Sequence, residues 1–108
     1  MAEINHDIRI QGLARREYSI TPVGISGETP VLFESGLSLE YARIGCFAYN
    51  NSDTGSGEVY WGNSTVSPSS GFPIPVGAVV EIPLVSDLPF YFCASGESTM
   101  NLRVLEIA

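Results

Sequence analysis

Apolar alternation in the second half of the chain is the feature that most narrows the fold. Val80, Ile82 and Leu84 alternate with Glu81 and Pro83, and Phe90 and Phe92 are set against Tyr91 and Cys93. Met100, Leu102 and Val104 alternate with Asn101 and Arg103. A period of two, bounded by Gly, Pro, Asp or Ser, marks half-buried strands. Between Glu58 and Ala108 the pattern predicts strands over 59–61, 78–84, 90–94 and 102–107. A Pro/Gly/Ser loop over 67–77 separates the first two.

The first half reads less evenly. Residues 18–25 form a strand interrupted by Pro22, which places it at a sheet edge, because proline cannot donate to a ladder on both sides. Residues 30–34 form a short second strand. The longest strand is expected over 37–49, and its apolar parity changes partway. Leu37, Leu39 and Tyr41 are apolar on odd positions, whereas Ile44, Cys46 and Ala48 are apolar on even ones, beside Phe47 and Tyr49. A β-bulge near Gly45 accounts for the switch; a strand covered on both faces, by a second sheet and by another subunit, is the alternative. No segment has a helical apolar period. Seven to eight strands at this spacing predict an all-β, single-domain antiparallel β-sandwich or jelly roll over residues 18–108, with residues 1–17 as an extended N-terminal arm.

Charge restricts the partners. Charged residues make up 16% of the chain, below the ~25% usual for soluble domains, and there is no lysine. Such a surface suits packing against another protein. The net charge is −7, and the basic residues gather no further than Arg15-Arg16. Phosphate backbones and anionic membranes both need clustered cations, so neither nucleic acid nor a membrane surface is an expected partner. No apolar run reaches the ~20 residues of a spanning helix, and residues 1–7 lack the basic and apolar regions of a signal peptide.

Candidate chemistries fall away on inspection. The single histidine, His6, lies in the arm, and no nucleophile elbow, phosphate loop or dinucleotide fingerprint occurs. Glu58 and Glu81 read as solvent-side strand residues. Cys46 and Cys93 sit in strands beside aromatics and read as buried, reduced thiols, with an intersheet disulfide as the alternative. Without a histidine beside them they make no zinc site. Asn51, Asp53 and Glu58 lack the spacing of a calcium loop. The expectation is a protein with no enzymatic activity, metal or cofactor. Tyr60 and Trp61, followed by Gly62-Asn63, form a possible carbohydrate-stacking platform.

Val59-Tyr60-Trp61-Gly62-Asn63-Ser64-Thr65-Val66-Ser67 and Gly71-Phe72-Pro73-Ile74-Pro75-Val76-Gly77, closed by Leu102-Arg103-Val104-Leu105-Glu106, resemble a pattern of small structural proteins of tailed bacteriophage virions. The resemblance covers residues 58–107. Ile74 stands where leucine is common and Val76 where a charged residue is common, and neither alters the turn. The resemblance implies a capsid decoration (cement) or minor head protein, bound to the major capsid protein or other virion proteins. It further implies a homo-oligomer, with a trimer favoured, located in the virion after assembly in the host cytoplasm. Neck, tail or fibre-attachment modules are the alternative placement, and a glycan-binding sandwich is a second one. For the decoration role the expected contacts are Ile8, Ile10, Leu13, Arg15 and Arg16 of the arm, with loops around Asp53 and Phe72. The arm would add a strand to a capsid edge and pair its arginines with capsid carboxylates.

Overall fold

The structure, a computed structural model, describes residues 17–38, 43–53, 57–83, 88–96 and 98–108. They form eight strands: β1 (Tyr18–Ile25), β2 (Val31–Leu32), β3 (Gly45–Asn50), β4 (Val59–Gly62), β5 (Phe72–Ile74), β6 (Val79–Glu81), β7 (Tyr91–Ala94) and β8 (Met100–Ile107). Two antiparallel sheets result, in the orders β1-β8-β3-β6 and β2-β7-β4-β5. The pairs β1–β8, β2–β7, β3–β6 and β4–β5 are nested one inside the next. That is the topology of a chain folded as one long hairpin and then rolled, so the all-β sandwich is a jelly roll.

The core forms where the inward parities of the two sheets meet. Met100, Leu102 and Val104 of β8 face Phe92 and Ala94 of β7, and all are sealed from solvent. Phe33 stacks on Phe90 with centroids 4.9 Å apart, and Phe92 meets Phe90 edge-on at 5.5 Å. Each buried ring of this kind contributes on the order of 1.5–3 kcal/mol. Asn50, also fully buried, holds the sheets together at the other end of β3. Its Nδ2 donates to the Ile74 carbonyl at 2.8 Å, and its backbone carbonyl takes the Gly77 N–H at 2.8 Å. Gly77 has φ +80°, a conformation that a side chain there would strain.

Among the described residues β1 pairs only with β8, so Pro22 lies in an edge strand. Two other expectations are corrected. The long strand over 37–49 is absent: Leu37 and Ser38 are not in a strand, 39–42 lie outside the described residues, and β3 begins at Gly45. A bulge near Gly45 fits the pairing: the register runs unbroken from Gly45↔Ile107 to Asn50↔Leu102, and the N–H of Ile44, just before it, also meets the Ile107 carbonyl at 2.7 Å, so two successive residues oppose one. From Gly45 onward Cys46, Ala48 and Asn50 are directed inward. The loop over 67–77 contains a strand, β5, which tolerates Pro73 because, among the described residues, it is the free edge of its sheet. The thiols are both free and buried. Cys46 joins the core, whereas Cys93 leaves β7 on the side of its cross-strand neighbour Tyr60, away from Phe92 and Ala94.

Candidate interaction surfaces

The outer face of the first sheet is built by the residues of opposite parity to the core. Tyr18 stands beside Ile107; Ile20, Leu105, Phe47 and Glu81 form the next row; Pro22, Arg103, Tyr49 and Val79 form the third. Seven of these side chains are large apolar or aromatic groups, and Tyr18, Ile20 and Val79 are 71%, 58% and 63% exposed. Ile44, just before β3, adds to the same end at 61%. Arg103 and Glu81 are the charged residues in these rows. With strands ~4.8 Å apart and residues of one face ~6.8 Å apart, the rows cover on the order of 400 Å², the size at which apolar patches mark interaction sites.

A second surface lies at one end of the sandwich, where Trp61 on β4 and Phe72 on β5 are register partners. Their rings stack with centroids 5.2 Å apart and planes 24° apart, and Trp61 also meets Phe90 edge-on at 6.4 Å. Phe72 is 64% exposed, whereas Ile74, two residues on, is buried. The two rings line a groove of about 460 Å³ with Gly62, Asn63, Thr65, Val66, Ser70, Leu88 and Pro89. Gly71 is required behind it: a Cβ there would lie 2.7 Å from both Tyr60 Cβ and Val66 Cγ2.

Beside the groove, a buried ion pair closes the same end. Glu106 occupies an inward position of β8 and is fully buried. Its Oε2 accepts from Arg43 Nη1 at 3.0 Å and from Ser35 Oγ at 2.7 Å, and its Oε1 accepts from the Gly36 N–H at 2.9 Å. Arg43 lies 5.2 Å above the Phe90 ring, and its Nε and Nη2 have no partner among the described residues. The pair ties the stretch after β2 and the entry to β3 onto β8. Burial pushes the Cys46 thiol from 9.0 up to about 11, with Arg43 pulling it back and Glu106 adding to the rise. Burial also raises Cys93, with Glu28 contributing. Both thiols are therefore protonated and unreactive at neutral pH.

The residues singled out from the sequence fall in different places. Ile8, Ile10, Leu13, Arg15 and Arg16 lie outside the described residues. Glu17, placed at the end of the arm, is tied to the domain: its carbonyl takes the Ala108 N–H at 2.9 Å and its carboxylate takes the Ser38 hydroxyl at 2.8 Å. Asp53 is exposed beyond Asn50, at the end of β3 away from Arg43, so it is not grouped with Phe72. Tyr60 and Trp61 are neighbours in one strand and leave it on opposite faces, so they form no shared platform. Tyr60 instead donates to Glu58 at 2.8 Å, a bond that raises its pKa. Sequence reasoning missed Arg43 and Glu106. The signal was present for Glu106, which carries the parity of Met100, Leu102 and Val104 and so places a carboxylate in the core.

Among the described residues, no group of three His, Cys, Asp or Glu side chains converges as a metal site would, and no helix is long and apolar enough to cross a membrane. Searched against protein-family models and against curated proteins, the chain matches none.

Proposed function

We propose that this chain is a non-enzymatic structural protein of a tailed-phage virion, a capsid decoration protein that works as a homo-oligomer. The observation that carries the reading is the apolar outer face of the first sheet. On a chain of net charge −7, that face holds seven large apolar groups and only the offsetting pair Arg103 and Glu81. A second copy approaches it without the like-charge repulsion that the rest of the surface imposes. A face of this kind is normally covered.

Charge divides the chain in a way that fits the role. Residues 1–16 hold three arginines against Glu3 and Asp7, whereas residues 17–108 hold ten carboxylates against Arg43 and Arg103. The arm is thus the basic part of an acidic protein, suited to carboxylates on a capsid surface. The likeness of residues 58–107 to small phage virion proteins supports the context, and the jelly roll is an architecture that viral capsid domains use. Fold alone would not assign the role.

The test is co-sedimentation of the purified protein with mature empty capsids, with light scattering of the free protein beside it. Decoration predicts an oligomer in solution, saturation at many copies over the whole head, and a gain in capsid heat stability. Saturation at the copy number of one vertex would move the protein to the neck or tail. A monomer that does not bind capsids would overturn the reading.

A further inference from the structure

We propose that the Trp61–Phe72 groove is a binding site for an uncharged saccharide unit. This stands independently of the outer sheet face, which lies on the other sheet.

The groove is preformed. Its wall is the 63–71 segment, closed by backbone bonds from Val66 N to Asn63 O at 3.0 Å and from Gly71 N to Ser67 O at 2.8 Å, with the buried Val66 as its anchor. A site that needs no ordering keeps more of its contact energy as affinity. At about 460 Å³ it falls within the range of small-ligand pockets.

Its chemistry has two parts that converge. Phe72, backed by Trp61, offers an exposed aromatic face suited to the C–H face of a pyranose ring. The same groove is lined by Asn63, Thr65 and Ser70; the Thr65 hydroxyl donates to Asn63 Oδ1 and Ser70 Oγ accepts the Ser67 N–H at 3.1 Å, so each keeps acceptor capacity for a ligand. Asn63 is held in one orientation, because its Oδ1 accepts both the Thr65 N–H at 3.0 Å and the Thr65 hydroxyl at 2.9 Å. That leaves its Nδ2 hydrogens available to a ligand hydroxyl. A flat apolar face in one groove with neutral donors and acceptors is the complement of a sugar, which is apolar across its ring and polar around its rim.

Two observations select among ligands. No charged side chain is among the described lining residues, although the chain carries twelve carboxylates, so the site fits a neutral ligand rather than an ionic one. An extended peptide would dock by adding a strand to β5, the free edge next to the groove. Pro73 sits in the middle of that strand and has no N–H to offer.

Trp61 is the chain's single tryptophan, so its emission reports on the groove directly. The full chain would be titrated with glucose, galactose and N-acetylglucosamine and with their β-linked oligomers, following Trp61 emission and backbone amide shifts. The expected result is saturable change for at least one neutral sugar, confined to residues near 61–72. Phe72→Ala and Asn63→Ala should each weaken it by about tenfold or more, with thermal midpoints held near wild type. Unchanged emission and shifts with every sugar would overturn the proposal. So would equal binding by both variants, or a response to a proline-rich peptide alone.

Discussion

The two sheets carry similar inward faces and different outward ones. On the first, Phe47, Tyr49, Leu105 and Ile107 place bulky groups outside strands that already bury Cys46, Ala48, Leu102 and Val104 inside. On the second, the outward positions of β4 are Tyr60 and Gly62, and Tyr60 is engaged with Glu58. Near-continuous apolar runs belong to strands covered on both sides, and strict alternation to strands with one wet face. The difference teaches that a run such as Cys46-Phe47-Ala48-Tyr49 puts apolar side chains on both faces of its strand, one set in the core and one outside it.

The largest effect separates the inward faces. Glu106→Ala strips Arg43 of its counter-ion and leaves Ser35 and Gly36 without their acceptor. It should cost ~3–5 kcal/mol in urea unfolding, while joint replacement of Arg43 and Glu106 by leucine recovers most of the loss. An unchanged urea midpoint for the single variant would refute the role assigned to the pair.

Alkali should weaken the same inward face. The Cys46 thiol titrates near 9.0 unfolded and near 11 folded, so the native state holds the proton more tightly in between. Stability is therefore retained below about pH 9 and declines by ~2 kcal/mol as pH rises to 11. Cys46→Ala should remove that slope, measured as the difference between the two proteins' unfolding curves across the window.

The outward faces separate by association rather than by stability. Ile20→Glu with Val79→Glu places charge on exposed positions and should change unfolding energy by no more than ~0.5 kcal/mol each. It should nevertheless convert an oligomer to a monomer in sedimentation velocity. The smallest effect belongs to the second sheet, where Tyr60→Phe removes one exposed hydrogen bond. A stability change within ~0.5 kcal/mol and an unaltered oligomer are expected, and dissociation by this variant would erase the contrast between the faces.

Much of the fold could be read in advance because alternation is a local signal. β4, β7 and β8 lie where alternation places them, β6 keeps only Val79–Glu81 of the expected 78–84, and Pro22 alone puts β1 at an edge. β5 was hidden because two prolines close to its centre read as loop, and an edge strand is where that rule relaxes. The strand over 37–49 failed for a different reason. Apolar residues on both parities do not show where a strand begins, and β3 begins only at Gly45. The site was less legible still. Arg43 and Glu106 lie 63 positions apart, and Trp61 meets Phe72 across a turn whose register no local pattern specifies.

Nested pairing also governs the order in which the molecule can be made. β8 is the shared neighbour of β1 and β3, so the first sheet has no centre until the ribosome has added Met100 to Ile107. Until then, Tyr18–Ile25 lacks the strand it pairs with in the finished sheet. Closing so long a loop late makes folding slow and concerted, and leaves the nascent chain dependent on whatever shields its apolar strands in the meantime.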